Sequence, residues 1–288
     1  MLFRSIERRI RELASYVLGV DIGGTSVKIG IFSTAGDILD KWEITTRKDD
    51  GGAYILKDIA DSIEAKLLEK GIDKSDVQGV GMGVPGPVKD DGTVIKCVNL
   101  GWGVFNAADE LSELLGLPVK AGNDANMAAL GEYWQGGGKG YSDVVMVTLG
   151  TGVGGGIIIN GKMLAGVNGA GGEIGHMTID LDEQDVCNCG KKGCLEQYAS
   201  ATGIVRLANR ALQTSDKASR LRDVKYISAK EIFDLAKDGD NLAIDLVEEF
   251  GRRLGYALAN VACVVDPEVF VIGGGVSRAG EILIETTR

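Results

Sequence analysis

Histidine is nearly absent from this chain: His176 stands alone among 288 residues. An imidazole base or a histidine-based metal centre must be built at that position or not at all. Positive charge is in deficit, with 31 Lys and Arg against 41 Asp and Glu for a formal net charge of −10. Such a balance is a poor match to a phosphate backbone, which needs basic residues gathered on one face, so no nucleic-acid partner is expected. Long apolar runs are missing too. No stretch approaches the ~18 consecutive apolar residues of a membrane helix, so the expected setting is small-molecule work in the cytoplasm, with no membrane partner. The opening residues lack the apolar run of a secretory signal and carry two acids. Phe3, Ile6, Ile10 and Leu13 recur there at helical spacing, so residues 1–15 read as an amphipathic helix or a leader. Proline is scarce, with 4 residues, while 44% of the chain is hydrophobic. That combination supports a real core in one or two domains and excludes disorder.

Glycine is what the chain has in excess, 43 residues or about 15%, against a usual ~7%. Much of it falls in turns between apolar runs. From Tyr16 the sequence reads as strand, the turn Asp21-Ile22-Gly23-Gly24-Thr25, a strand over Val27 to Phe32, a turn at Ala35-Gly36 and a strand over Ile38 to Ile44. A helix is expected at about 53–70, where Ile55, Ile59, Ile63 and Leu67 fall four apart. A strand near 77–83 runs into Val-Pro-Gly-Pro and stops. From Asp143 the layout repeats: Val144 to Leu149, the turn Gly150-Thr151-Gly152, Gly154 to Ile159, a tight Asn160-Gly161 turn and Lys162 to Leu164. Two copies of strand, glycine turn, strand and hairpin predict two similar α/β domains. Helices follow at about 199–213, 228–238 and 241–264, the last closed by Pro267. One more strand, Val269 to Ile272, ends in Gly273-Gly274-Gly275.

The first chemical motif is Asp21 to Thr25. A carboxylate, two glycines and a hydroxyl within five residues can hold a metal ion and wrap backbone donors around a phosphate. The alternative, a glycine-rich hairpin with a surface Asp, weakens once the second such loop at Gly150 to Gly156 is considered. Neither loop is a Rossmann fingerprint, because each leads into a strand, and neither is a P-loop.

The second is His176, Cys187, Cys189 and Cys194, spaced His-x10-Cys-x-Cys-x4-Cys with Gly190 and Gly193 bending the chain. One imidazole and three thiolates form a closed tetrahedral zinc set, hence structural. A disulfide is the weaker reading, since the cluster leaves an odd cysteine and no export signal is seen. Cys97 and Cys263 read as small buried hydrophobes.

The third is Gly122-Asn123-Asp124-Ala125-Asn126, between a short strand at Val119-Lys120 and a helix with Met127, Leu130 and Trp134 on its apolar side. Asp124 either caps that helix or accepts a proton from a sugar hydroxyl. Glu173 and Glu196 flank the cysteine cluster, placed to accept hydrogen bonds from hydroxyl groups with fixed geometry.

Four of these motifs, Asp-Ile-Gly-Gly-Thr, Leu-Gly-Thr-Gly-Val-Gly-Gly-Gly, Gly-Gly-Glu-Ile-Gly-His and Cys-x-Cys-Gly-x-x-Gly-Cys-x-Glu, together resemble the ROK family of sugar kinases and repressors, within the actin and hexokinase superfamily. The resemblance runs over about residues 16–288 and is closest to bacterial ATP-dependent glucokinases. It implies an α/β, two-domain actin/hexokinase-like (ribonuclease H-like) fold with an active-site cleft between an N-terminal domain over 16–122 and a C-terminal domain over 123–288. The implied reaction is phosphorylation of glucose at its 6-hydroxyl by Mg-ATP. Kinases of N-acetylmannosamine or another hexose, and a sugar-sensing protein without turnover, are the alternatives. By resemblance, Asp124 is the general base and Asp21 helps hold magnesium. Asn99, Asn123, Glu173, His176 and Glu196 bind sugar hydroxyls, with His176 also on zinc. Gly23, Gly24, Thr25, Gly150, Thr151 and Gly152 contact phosphates, and Gly273, Gly274 and Gly275 approach the nucleotide. A homodimer is implied. Family repressors carry a winged helix ahead of Asp-Ile-Gly-Gly-Thr, for which the 20 residues before Asp21 leave no room; family kinases continue a helix or two past the Gly273 loop, so such helices are expected to be missing here.

Overall fold

The computed structural model describes residues 15–288. The leader or helix expected over 1–15 lies outside the described residues, apart from Ser15. Two compact units emerge. Residues through Ala128 together with the returning segment Ala165–Gly171 form the first, and Ala129–Leu164 with Gly172–Arg288 form the second. The returning segment carried no signal in the sequence.

The first unit is a five-stranded sheet in the order β3-β2-β1-β4-β7, made of β1 (Tyr16–Ile22), β2 (Ser26–Ser33), β3 (Ile38–Thr45), β4 (Val77–Val84) and β7 (Val119–Asn123). The first three strands are antiparallel, whereas β4 and β7 run parallel to β1. The helix α1 (Ile55–Lys70) lies over it. Its stripe Ile55, Ile59, Ile63 and Leu67 is at most 3% exposed, and each such side chain is worth roughly 1.5–3 kcal/mol of burial. Gly71 ends the helix in the left-handed conformation (φ 66°), its N–H returning to Leu67 and Leu68 carbonyls. Two short strands, β5 (Thr93–Val94) and β6 (Phe105–Asn106), pair as a hairpin. A helix absent from the sequence reading, α2 (Ala107–Leu115), follows, with the Asn106 side chain accepting the Asp109 N–H at 3.0 Å as its cap.

The chain passes into the second unit along α3 (Asp124–Gln135). That unit repeats the order: β10-β9-β8-β11, from β8 (Val144–Leu149), β9 (Val153–Ile159), β10 (Lys162–Met163) and β11 (Val269–Gly273), three antiparallel strands and a parallel fourth. The repeat expected from the glycine turns is therefore present in topology. Asn160 (φ 50°) and Gly161 (φ 69°) both take the positive φ that a tight hairpin turn requires. Helices α4 (Ala201–Thr214), α5 (Ala229–Lys237) and α6 (Asn241–Val265) supply the core, where Phe233 and Phe250 meet edge to face at 5.5 Å. Asp240 caps α6 through the Leu242 and Ala243 N–H groups, and Asp266 ends it in the left-handed region just before Pro267. A final short helix, α7 (Glu281–Thr287), was also unread in the sequence.

Two local expectations fail. Cys97 is buried, but Cys263 is exposed: it lies on the side of α6 away from the Leu254, Leu258 and Val261 stripe, beside an 83% exposed Val264. Trp134, placed by spacing on the apolar side of α3, is 48% exposed in the helix's last turn. No helix among the described residues is long and apolar enough to cross a membrane.

Candidate functional site

In the first unit the chemistry-bearing residues gather at the carboxyl ends of the parallel strands, where open α/β sheets place ligands. Asp21 pairs in register with Gly83 of β4, and Val84 of β4 pairs with Asn123, so Asp21 and Asn123 sit at the same edge with one strand between them. The turn after β1 is closed by a Gly23 N–H bond to the Ser26 carbonyl (3.0 Å). It is also braced by the buried Thr46, whose hydroxyl donates to the Gly23 carbonyl at 2.7 Å while its N–H donates to Thr25. Asp21 and Thr25 remain exposed and Gly23 and Gly24 half-exposed, leaving their polar groups accessible.

Asn123 is the cap of α3: its Oδ1 accepts the Ala125 and Asn126 N–H groups at 2.9 and 3.2 Å, and its Nδ2 donates to the Gly86 carbonyl at 3.1 Å. The Asp124 carboxylate, steadied by the Ala125 N–H at 2.8 Å, keeps solvent access. The surrounding protein nonetheless raises its pKa above the ordinary carboxylate value, with burial the larger cause and the charge of Asp21 adding to it. A carboxylate made more basic in this way is a better proton acceptor. Asn99 lies exposed in the short turn Val98–Leu100, next to Cys97, whose buried thiol is raised further by the Asp124 charge.

In the second unit, Gly150, Thr151 and Gly152 form the turn between β8 and β9. The Gly150 carbonyl accepts the Ala201 N–H (2.8 Å) and the Thr151 carbonyl the Thr202 hydroxyl (2.7 Å), which fixes the turn to the start of α4. Gly273 pairs with Thr148 in register, and Gly274 (φ 85°) lies so close that a Cβ there would meet the Leu149 carbonyl at 2.5 Å. The two glycine loops of this unit thus share the carboxyl end of its parallel strand pair.

The loop between β10 and α4 carries the remaining residues. Gly175 presses on β9 so tightly that a Cβ would lie 2.0 Å from the Val153 carbonyl, which explains the glycine between Glu173 and His176. The ligand atoms of His176, Cys187, Cys189 and Cys194 all lie within 4.8 Å of one another. His176 Nδ1 is 3.8 Å from Cys187 Sγ, and Cys189 Sγ is 3.5 Å from Cys194 Sγ. Tetrahedral zinc, with Zn–S near 2.3 Å, separates neighbouring sulfurs by about 3.8 Å, so donor set and spacing both fit the ion. His176 Nε2 faces Glu173 at 4.0 Å, while Glu196 Oε1 approaches His176 Nδ1 (3.7 Å) and accepts from Cys187 Sγ (2.9 Å). Glu196 also backs the phosphate-type turn, since a Cβ on Gly152 would meet its Oε2 at 2.7 Å.

Sequence reasoning passed over the residues that hold this loop. Glu183, with a side chain only 2% exposed, accepts from Arg206, Arg210 and the Tyr198 hydroxyl. Burial alone would raise its pKa, yet these donors and the Asp185 N–H overcome it and hold the carboxyl well below the usual range. The only sequence signal was the pair Arg206 and Arg210, four apart on a helix after a run of acids.

The duplicated sheet and the two sets of strand-end loops define an actin/hexokinase-like α/β protein. The chain belongs to the ROK family, whose sequence model matches residues 17–288. It is 48% identical over 276 residues to a glucokinase of Halalkalibacterium halodurans, covering 94% of this chain and 83% of that protein. A ROK family glucokinase from Streptomyces griseus, solved in complex with glucose and AMPPNP, is 39% identical with a TM-score of 0.74, over 95% of this chain and 87% of that one. A ROK family transcriptional regulator, described as a homologue of the E. coli MLC protein, superposes with a TM-score of 0.83 at 29% identity, over 96% of this chain and 69% of that one.

Proposed function

We propose that the protein transfers the γ-phosphoryl group of Mg-ATP to the 6-hydroxyl of glucose, releasing glucose 6-phosphate and ADP. The observation that carries this reading is Asp124: a carboxylate relieved of the capping role by Asn123, open to solvent, and made more basic by its surroundings. The glucokinase relatives support the choice of sugar and nucleotide.

In this reading Asp124 accepts the proton of the 6-hydroxyl as its oxygen attacks phosphorus, a contribution of about 10²–10⁴-fold. The transition state of phosphoryl transfer is loose, so positioning and charge neutralisation provide most of the remainder. Asp21 helps hold the magnesium that arrives with ATP. Gly23, Gly24, Thr25 and Gly150 to Gly152 present backbone donors to its phosphates, and Gly273 to Gly275 lie against the nucleotide. Asn99, Asn123, Glu173, His176 and Glu196 hold the sugar hydroxyls. His176 through Nδ1, with Cys187, Cys189 and Cys194, holds zinc. Bound there, zinc supplies a rigid cross-link and no reactive water, because the protein fills all four positions. The assembly we propose is a homodimer, which sedimentation velocity tests.

A sugar-sensing role without turnover is the second reading, favoured by the similarity to the transcriptional regulator. Binding alone needs no base, which makes Asp124 the feature that argues for the kinase. ADP release measured with glucose, mannose, fructose, allose and N-acetylmannosamine separates the readings. Glucose-dependent turnover is expected; no ADP release with any sugar that binds would establish the sensor instead, and a preference for N-acetylmannosamine would reassign the substrate.

A further inference from the structure

The segment 185–197 carries three of the four zinc ligands and Glu196, and its base is closed by a clasp. The Gln197 side chain accepts the Cys194 N–H through Oε1 and donates from Nε2 to the Asp185 carbonyl, both at 3.0 Å. Over this closure lies the Arg206 guanidinium. It donates to the Gln197 carbonyl (2.9 Å), the Asp185 carboxylate (2.8 Å) and the Glu183 carboxylate (2.9 Å). One planar fork on α4 therefore grips the chain just before Cys187 and just after Glu196. A fork of this kind fixes direction as well as distance, which an ammonium group does not.

Zinc at the His/Cys cluster would fix Cys194. Glu196 lies two residues beyond it on a single turn, Leu195–Gln197, held at its own carbonyl by the Ser200 hydroxyl (2.6 Å) and at its exit by the Gln197 carbonyl. Arg206 is the side chain that holds that carbonyl. The carboxylates would stay satisfied without it: Arg210 reaches Glu183 and Asp185 at 3.2 and 2.7 Å, and the Tyr198 hydroxyl reaches Glu183 at 2.8 Å. Arg206 is thus redundant for neutralising the buried acid and specific for the backbone beside Glu196.

We propose that Arg206 is a positioning residue for the sugar, acting through the Gln197 carbonyl to aim the Glu196 carboxylate. The inference rests on the reading of Glu196 as a sugar ligand and deepens it.

The test is glucose binding by titration calorimetry on zinc-loaded protein, alongside metal content and steady-state kinetics. Arg206→Met should keep one zinc per chain and leave KM for ATP unchanged, while weakening glucose binding about tenfold, the scale at which outer hydrogen-bond partners act. Arg206→Lys, which restores charge without the fork, should recover part of that loss and serves if the Met variant does not fold. In a Glu196→Gln background the Arg206 substitution should add almost nothing, because the two act on one contact. A merely structural role would lower melting temperature and zinc content and leave the affinity of the folded, loaded fraction untouched. Wild-type glucose affinity in zinc-loaded Arg206→Met or Arg206→Lys, or a full loss persisting in the Glu196→Gln background, overturns the proposal. A wild-type protein that binds no glucose instead removes the sugar-ligand reading of Glu196, and this inference with it.

Discussion

The two units share a strand order and differ in how they hold their reactive groups. In the first, Asp21, Asn123 and Asp124 sit on strand ends, and their positions follow from ladder register and one helix cap. In the second, Glu173, His176 and Glu196 sit in a loop built from single turns such as Ile174–His176 and Leu195–Gln197 and isolated bridges such as Thr178 to Cys194. A sheet specifies its strand ends without extra devices. A loop of this length must be pinned, and this one is pinned by an arginine clasp on Glu183 and by glycines that allow near contact with β9, beside a four-residue cluster whose donor set fits a metal ion. In the proposed reading, proton transfer falls to the first unit, whereas the sugar ligands come from both, Asn99 and Asn123 from the first and Glu173, His176 and Glu196 from the pinned loop of the second.

The contrast can be broken at several points. The largest effect is expected from Asp124→Asn, which should lower kcat by about 10²–10⁴-fold while the fold stays intact, measured by coupled ADP release. Its stability has a defined sign. Because the pKa of Asp124 is raised in the folded state, the charged form is penalised at neutral pH, so the Asn variant should melt at an equal or higher temperature at pH 7. That difference should shrink as pH falls through the raised pKa and vanish below the ordinary value. A variant less stable than wild type at pH 7 would mean that the carboxylate contributes to stability and that its pKa is not raised in the folded protein.

Next in size is loss of the metal. Cys189→Ser, or prolonged chelation, should remove zinc and weaken glucose binding by about 10–100-fold. Hydrogen exchange in β1, β4 and β7 should be unaffected, because nothing in their ladder depends on the cluster. Exchange rising in both units would mean that the first unit also depends on the cluster. Smaller is Gly175→Ala, where the added carbon must displace the Val153 carbonyl region; a cost of about 1–3 kcal/mol is expected in denaturant unfolding, with a higher glucose KM. Smallest is Thr46→Val in the first unit. It removes the hydroxyl that braces Gly23 and should cost about 1 kcal/mol, with a modest rise in KM for ATP and none for glucose.

Most of this layout was legible in the sequence, and the reasons differ by residue. Ile55, Ile59, Ile63 and Leu67 reported a helix because burial imposes a period, and all four are buried. The glycine turns after β1 and β8 revealed the duplicated topology, because turn chemistry is local. The His/Cys cluster could be read because few arrangements need one imidazole and three thiols so close in sequence. What stayed hidden depends on distant partners. Glu183 stands in a run with Asp180, Asp182 and Asp185 that reads as solvated charge; only tertiary pairing with Arg206 and Arg210 makes it a buried anchor. The sequence reads Asp124 as the cap of α3 or as a proton acceptor; that Asn123 supplies the cap depends on which side chain folds back onto the Ala125 and Asn126 N–H groups, which spacing does not show. Cys263 was misread because a helix as apolar as Asn241–Val265 does not declare which of its sides is uncovered.

The proposed role of Asp124 in proton transfer, and of the His/Cys loop in holding the sugar, is tested most directly by titrating glucose into Asp124→Asn and Cys189→Ser proteins side by side in one calorimetric experiment. Wild-type affinity, within about threefold, is expected for the first and at least tenfold weaker binding for the second. Loss of glucose binding in Asp124→Asn together with unchanged binding in metal-free Cys189→Ser would contradict both roles.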